Sequence, residues 1–255
     1  MIEIEAIFLD IGNTLRILTE NKSHQAKARQ EIVRLIGTDE DPITFCDKLN
    51  DRYKIYRKWT FENMREAPEG KLWTKWLTPE FPAEHIAPLG KELTYQYRQS
   101  MGLRIMVDQA KEVVQKLYER GYVLGIISNL ITSEEIPDWL ETDGLKHYFK
   151  SVALSSVIGI RKPDPEIYLL AARNAGVFPS RCAYVGDNLK RDVTGTRIAG
   201  FGLAVIVNNK QEMMDAVITP ENTPDAIIHK FSDLLTLFPQ RPMVNQDLLS
   251  KSSDH

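Results

Sequence analysis

Ala6-Ile7-Phe8-Leu9-Asp10-Ile11-Gly12-Asn13-Thr14, residues 6–14, is an unbroken apolar run that ends on a carboxylate and then on a small, turn-prone pair. Just before it, Ile2 and Ile4 alternate with Glu3 and Glu5. A strand that starts by alternating and then turns apolar on both faces suits the middle of a parallel sheet covered by helices. Working outward, comparable runs recur at residues 122–127, 151–154, 182–185 and 203–207, and more weakly at 226–229. Helical patterns at 109–120, 165–175 and 189–199 fill the gaps. Gly121, Gly176 and Gly200 follow them, where a helix C-terminus often needs a left-handed residue. Strand and helix alternating in this way predict an α/β chain, a Rossmann-like doubly wound parallel sheet.

Residues 19–99 break that rhythm and contain no convincing strand. Helices are expected at 23–36, 42–61, 71–77 and 83–97, punctuated by Pro68, Pro79 and Pro82. In the second of these Phe45, Leu49, Tyr53 and Tyr56 form an apolar stripe, with Arg52, Lys54, Arg57 and Lys58 mostly beside or opposite it. The expected organisation is therefore a core of residues 1–18 and 100–240, an inserted all-helical domain at 19–99, and a polar, flexible tail at 241–255.

The length of 255 residues allows one large α/β domain or a core with a smaller insert, and 43% hydrophobic residues argue against disorder. The longest apolar runs are too short to span a bilayer, and no charged-then-apolar leader precedes the first strand. Two cysteines, Cys46 and Cys182, argue against a disulfide framework and fit a reducing cytoplasm. A net charge of -3 gives no reason to expect nucleic acid or an anionic membrane as the main partner.

Four short segments each follow a predicted strand or open a helix: Asp10 to Thr14, Ser128-Asn129, Arg161-Lys162-Pro163-Asp164-Pro165, and Gly186-Asp187-Asn188 with Asp192 beyond it. In an open parallel sheet, groups at the carboxyl ends of neighbouring strands converge on one crevice. Two carboxylates, a hydroxyl and an ammonium are thereby expected to meet. Asp10 and Asp187, with backbone oxygen and water, suit Mg²⁺, a hard ion that keeps several waters. Ser128 and Lys162 suit phosphate oxygens.

In this order and spacing the segments resemble the motifs of the haloacid dehalogenase-like hydrolase superfamily, from the first strand to about residue 207. The closest phrases are Gly-Leu-Lys-His-Tyr-Phe, Lys-Pro-Asp-Pro, Tyr-Val-Gly-Asp-Asn and Arg-Asp-Val-Thr-Gly-Thr-Arg-Ile-Ala-Gly, all between Gly144 and Gly202. The resemblance implies that Asp10 is the nucleophile, forming an aspartyl-phosphate, and also a metal ligand. It implies the Gly12 carbonyl, Asp187 and Asp192 as the remaining metal-site groups. Ser128, Asn129 and Lys162 would hold the phosphoryl group, with Thr14 bracing the nucleophile loop beside them. The helical insert corresponds to the family's mobile cap, placed after the first motif. The substrate implied is a small phosphorylated molecule.

One departure matters. The family's phosphatases usually carry a second aspartate two residues after the nucleophile, as acid and base for the leaving group; here that position is Gly12. A positioned acid or base typically contributes about 10²–10⁴-fold. Three readings follow: a nearby group such as Arg16, Glu20, Lys22 or His24 substitutes; the leaving group is good, as in an acyl phosphate; or a lysine among Lys22, Lys27, Lys54 and Lys58 forms a Schiff base, as in relatives that cleave carbon–phosphorus bonds. The competing class is a weakly active or non-catalytic homologue that binds a phosphorylated ligand. Plainer readings stand beside these. Asp192 also fits a solvated helix residue, Asn188 a turn former, and Arg161 a surface charge. The basic and aromatic residues 52–59, with Trp73, Trp76 and Phe81, fit helical-domain packing, and Cys182 a buried strand residue.

Overall fold

A computed structural model describes residues 3–207 and 219–241; the tail expected at 241–255 lies, beyond Arg241, outside the described residues. The first strand, β1 (Ala6–Leu9), has no exposed residue. Alternate side chains explain why. Ile7 and Leu9 enter one apolar cluster, while Ala6 and Phe8 enter another on the opposite face of the sheet.

After β1 the chain forms β2 (Arg16–Thr19), then a helical block: α1 (Lys22–Ile36), α2 (Pro42–Asn63), α3 (Glu69–Leu72), a π-helical turn (Trp73–Leu77), α4 (Ala83–Ile86) and α5 (Gly90–Ser100). Local chemistry sets several of these boundaries. Asn21 Oδ1 caps α1 by accepting from His24 N at 3.0 Å, and Gly37, with φ 77°, ends it. Asp41 caps α2, with Pro42 at its first turn. The block has its own core, in which Phe45, Leu49, Tyr56, Trp73, Leu93 and Tyr97 are fully enclosed. Trp59 and Trp76 pack on Tyr56, with ring centroids 5.9 and 5.1 Å away, so Tyr56 and Trp59 of α2 are packing residues, whereas Phe61 is exposed.

The chain leaves the helical block through β3 (Leu103–Met106), which pairs antiparallel with β2 in a separate two-stranded sheet, Arg16 facing Met106 and Thr19 facing Leu103. There follow α6 (Ala110–Glu119), β4 (Val123–Ser128), α7 (Glu135–Thr142), β5 (Phe149–Leu154), α8 (Ser155–Ile158), α9 (Pro165–Ala175), β6 (Cys182–Gly186), a second π-helical turn (Leu189–Val193), α10 (Thr194–Ile198), β7 (Leu203–Val207) and β8 (Ala226–Ile228). The large sheet is six-stranded and parallel, in the order β5-β4-β1-β6-β7-β8. Helices α6 and α7 supply Val113, Leu117 and Leu140 to one face; α9 supplies Tyr168 and Ala171 to the other. This is the doubly wound α/β class expected. Strand order reverses at β1, so β4, β1 and β6 end side by side at one crevice.

Local details differ from expectation, and two elements had not been expected. The continuous helix expected at 189–199 is a π-helical turn followed by α10, and Asp192 lies in the wider turn. The helix at α7 and the β2–β3 ribbon carried no clear periodic signal. Each ribbon strand has only four residues, and Ile17, Leu18 and Ile105 are exposed. No helix among the described residues is long and apolar enough to cross a membrane.

Candidate active site

Asp10 follows β1 directly and is held by its neighbours before any ligand is considered. Its amide donates to Val185 O at 2.8 Å, continuing the pairing with β6. Its Oδ1 accepts from Ile11 N at 2.7 Å and from the Ser128 hydroxyl, at the end of β4, at 3.1 Å. Its Oδ2 faces Lys162 Nζ at 2.8 Å. Lys162 is enclosed, also 3.1 Å from Asp192 Oδ1 and donating to the Tyr184 hydroxyl, which in turn donates to Ile127 O at 3.0 Å. The loop carrying Lys162 is fixed by Asn129, whose amide nitrogen donates to Lys162 O at 2.9 Å and whose Oδ1 accepts from Lys162 N at 2.8 Å.

Asp187 stands just past β6, and Asn13 Nδ2 donates to its Oδ2 at 2.9 Å. Asn13 holds a left-handed φ of 53°, which brings its amide back over the crevice. Asp192 Oδ2 accepts from the amides of Asp187 (3.2 Å) and Asn188 (3.0 Å), tying the loop after β6 into a closed turn. Gly186 makes this possible: a Cβ there would lie 2.4 Å from Asp192 Oδ2.

Ligand oxygens of Asp10, Asp187 and Asp192, all buried, lie within 4.8 Å of one another. Burial, and then the negative charges of Asp10 and Asp192, push Asp187 up to about 6. Asp192 is held well below the usual carboxylate range, burial being overcome by Lys162 and Arg191. A cluster of carboxylates supplying hard oxygen donors is the chemistry that takes a divalent cation such as Mg²⁺, whose ligand oxygens stand roughly 4 Å apart across the ion. The residues present fit such an ion, subject to one competitor. Arg191 Nη2 lies 2.8 Å from Asp187 Oδ1 and 3.2 Å from Asp10 Oδ2, and its Nε lies 3.0 Å from Asp192 Oδ1. Only an outward swing of this guanidinium frees those oxygens for a metal. Its side chain is 27% exposed, on the wall of the cavity.

The structure thus brings Asp10, Gly12, Ser128, Asn129 and Asp187 to the wall of one cavity of about 280 Å³, with Lys162 and Asp192 enclosed directly behind Asp10. Thr14 is not on that wall. Its hydroxyl is buried and has no hydrogen-bond partner. Asn129, although on the wall, uses both side-chain atoms on the Lys162 backbone. Of the groups considered as replacements for an acid at position 12, only Arg16 lines the cavity. His24 Nε2 instead meets Gln99 Oε1 at 3.0 Å, and Lys22, Lys27, Lys54 and Lys58 do not line the cavity. The carbon–phosphorus reading therefore loses its lysine. Arg161 is not a surface charge: it is buried and paired with Glu66.

Sequence reasoning missed four residues lining the cavity and one buried residue that supports two of them. Arg191 was hidden inside a motif whose aspartates drew attention. Arg57, Arg98 and Arg104 come from elements far apart in the chain, and Glu135, which holds two of them, opens a helix with no prior signal.

A model of the haloacid dehalogenase-like hydrolase family matches residues 91–207. A glyceraldehyde 3-phosphate phosphatase of Methanothermobacter thermautotrophicus is 35% identical over 208 residues, covering 81% of this chain and 87% of the relative. A glyceraldehyde 3-phosphate phosphatase of Methanopyrus kandleri is 32% identical over 48% of this chain and 52% of its own length. A phosphoserine phosphatase of Thermus thermophilus is 35% identical over 46% of this chain and 45% of its own. The chain thus spans about half the length of these last two relatives. Among solved structures, a 2-haloacid dehalogenase from Pseudomonas syringae pv. Tomato DC3000 superimposes with a TM-score of 0.67 at 20% identity, over 92% of this chain and 97% of that one. A phosphatase from Thermococcus onnurineus superimposes with a TM-score of 0.58 at 22% identity, over 93% and 99%. At those identities the structural likeness is one of fold.

Proposed function

This chain belongs to the haloacid dehalogenase-like hydrolases, and we propose that it is a Mg²⁺-dependent phosphatase that cleaves a small phosphorylated molecule through an aspartyl-phosphate on Asp10. The observation that carries the reading is the setting of Asp10: one carboxylate oxygen against Lys162 at 2.8 Å, the other against Ser128 at 3.1 Å, at the base of a cavity. Ser128 and Lys162 orient the carboxylate and donate to the phosphoryl oxygens. An Asp10 oxygen attacks phosphorus, and the bond to the leaving group breaks with its electron pair going to that group. Water then hydrolyses the aspartyl-phosphate and releases inorganic phosphate, restoring Asp10. Asp10, Asp187, Asp192 and the Gly12 carbonyl are the groups proposed to hold Mg²⁺. The ion, when bound, offsets charge between the carboxylate and the phosphoryl oxygens. The helical block at 19–99 is assigned as a cap over this site, joined to the core at 1–18 and 100–240.

Among the described residues, no histidine, glutamate, tyrosine or lysine lines the cavity, and the position two residues after Asp10 is glycine. The substrate favoured is accordingly one whose leaving group needs little protonation, such as an acyl phosphate. The test is phosphate release from compounds graded by leaving-group acidity, with and without Mg²⁺, alongside Asp10→Asn. Rates that require Mg²⁺ and Asp10 and fall as the leaving group becomes more basic are expected. Full activity in Asp10→Asn would sink the mechanism.

One contact favours a second reading. Arg191 already bridges the carboxylates, which suits a homologue that binds a phosphorylated ligand and turns it over slowly or not at all. Tight phosphate binding with no release of product from any compound in the series would select it.

A further inference from the structure

Four arginines from outside the motif segments also line the cavity: Arg57 from α2, Arg98 from α5, Arg104 from β3 and Arg16 from β2. They are not equally committed. Arg16 is neutralised: it pairs with Asp143, donates to Arg104 O at 2.9 Å and stacks 4.4 Å over the Trp139 ring. Arg98 and Arg104 share one carboxylate, Glu135, at 2.8 and 3.5 Å. Glu135 is enclosed, and Gln99, itself in contact with His24, donates to its Oε1 at 3.2 Å. The pair of guanidiniums is thus held in place by a built support, with one positive charge left over. Burial, and next the charge of Arg98, pull Arg104 down to about 10, the mark of a cation only partly compensated where it stands. Arg57 forms no ion pair among the described residues; its guanidinium lies 5.1 Å from the Phe61 ring.

Each guanidinium carries five N–H donors. Arg98 spends Nε and Nη2 on Glu135, and Arg104 spends Nη1 on Glu135 and on Arg98 O at 2.9 Å. Arg104 Nη2 has only the Met101 sulfur, at 3.9 Å. Planar forks with spare donors in a partly dry wall are suited to carboxylate or phosphoryl oxygens. The same cavity is lined by Leu18, Leu130 and Ile136, apolar surface suited to a short carbon skeleton.

We infer that Arg57, Arg98 and Arg104 form a second anion subsite, which takes a carboxylate or a second phosphoryl group carried by the same small substrate whose phosphoryl group meets Asp10. The inference rests on the phosphatase reading of Asp10 and narrows its substrate class to molecules with two anionic ends. Glu135 is a positioning residue, acting through the arginines it aligns.

The test uses non-hydrolysable probes on the full chain in excess Mg²⁺, measured by calorimetry: propylphosphonate, 3-phosphonopropionate and propane-1,3-diphosphonate. At least one doubly anionic probe is expected to bind about tenfold tighter than propylphosphonate, and which one does so identifies the second group as carboxylate or phosphoryl. Arg98→Met and Arg57→Gln are each expected to bring that ratio back towards one; Arg57 is exposed, so its substitution cannot be confused with failure to fold. Equal binding of all three probes overturns the subsite while leaving the Asp10 reading intact. A preference that both variants retain overturns the assignment to these arginines. Absence of binding by every probe defeats the Asp10 reading and the subsite with it.

Discussion

Arg191 Nη2 lies 2.8 Å from Asp187 Oδ1, a contact between two residues four apart on the loop after β6. The same nitrogen reaches Asp10, so one side-chain cation occupies the oxygens that a divalent ion would need. Unit charges about 4 Å apart interact by about 4 kcal/mol near a protein surface, and a partly exposed side chain that swings out relieves part of this. Arg191→Gln removes the competitor. Its half-saturating Mg²⁺ concentration for phosphate release is expected to fall by about tenfold. A rise instead would show that Arg191 supports the site, and the competition argument would be wrong.

Gly12 offers a second change in the direction of gain. A Cβ built there meets nothing within 4 Å, and its backbone is not in the left-handed region, so a side chain is accepted without strain. Gly12→Asp places a carboxylate on the wall of the cavity that Asp10 shares. Hydrolysis of esters with basic leaving groups is expected to rise by about 10²-fold, while good leaving groups gain little. The slope of log kcat/KM against leaving-group pKa, compared between the two proteins, measures it. An unchanged slope would mean that no acid is missing.

The sheet was legible because β1, β4 and β6 are apolar on both faces, and because acids and hydroxyls fall at their carboxyl ends by simple chain order. Asp10, Ser128 and Asp187 needed only that rule to be placed at one crevice. What stayed hidden depends on contacts between distant segments. The β2–β3 ribbon joins residues 16–19 to 103–106, with exposed apolar side chains that read like loop. The arginine wall is assembled from residues 57, 98 and 104 through Glu135, and no local spacing encodes that meeting. Asp192 was ambiguous because a charged residue within a helical stretch reads equally as solvated, whereas in the π-helical turn it is buried against Lys162.

The raised Asp187 carboxyl makes a prediction about stability. Its ordinary value is 3.8, and folding raises it to about 6, so the native protein binds the extra proton. The contribution is fully present below about 3.8 and is lost as pH rises through about 6. Asp187→Asn imitates the protonated form at every pH. In the presence of a chelator its Tm is expected to exceed that of the parent above pH 6, and the two to converge below pH 4. Adding Mg²⁺ at pH 7.5 is expected to raise the Tm of the parent and leave that of Asp187→Asn nearly unmoved. A variant that melts lower at pH 7.5 in chelator would contradict the sign.

Glu66 ties the helical block to the sheet. Its carboxylate accepts from the Tyr56 hydroxyl on α2, from the Ser155 hydroxyl at 2.9 Å after β5, and from Arg161, and it is enclosed along with all three partners. Removing one partner of a buried ion pair leaves the other charge desolvated, at a cost of about 3–5 kcal/mol. Glu66→Ala is therefore expected to lower the urea midpoint sharply, with the loss falling in that range, and Glu66→Gln, which keeps the hydrogen-bonding outline, to lose less. Arg161 immediately precedes Lys162, so the stranded guanidinium disturbs the loop that holds the Asp10 ammonium partner. Glu66→Gln should therefore also lower kcat under conditions where it remains fully folded. Unchanged stability and unchanged kcat in both variants would show that the pair neither joins the two parts of the chain nor positions Lys162.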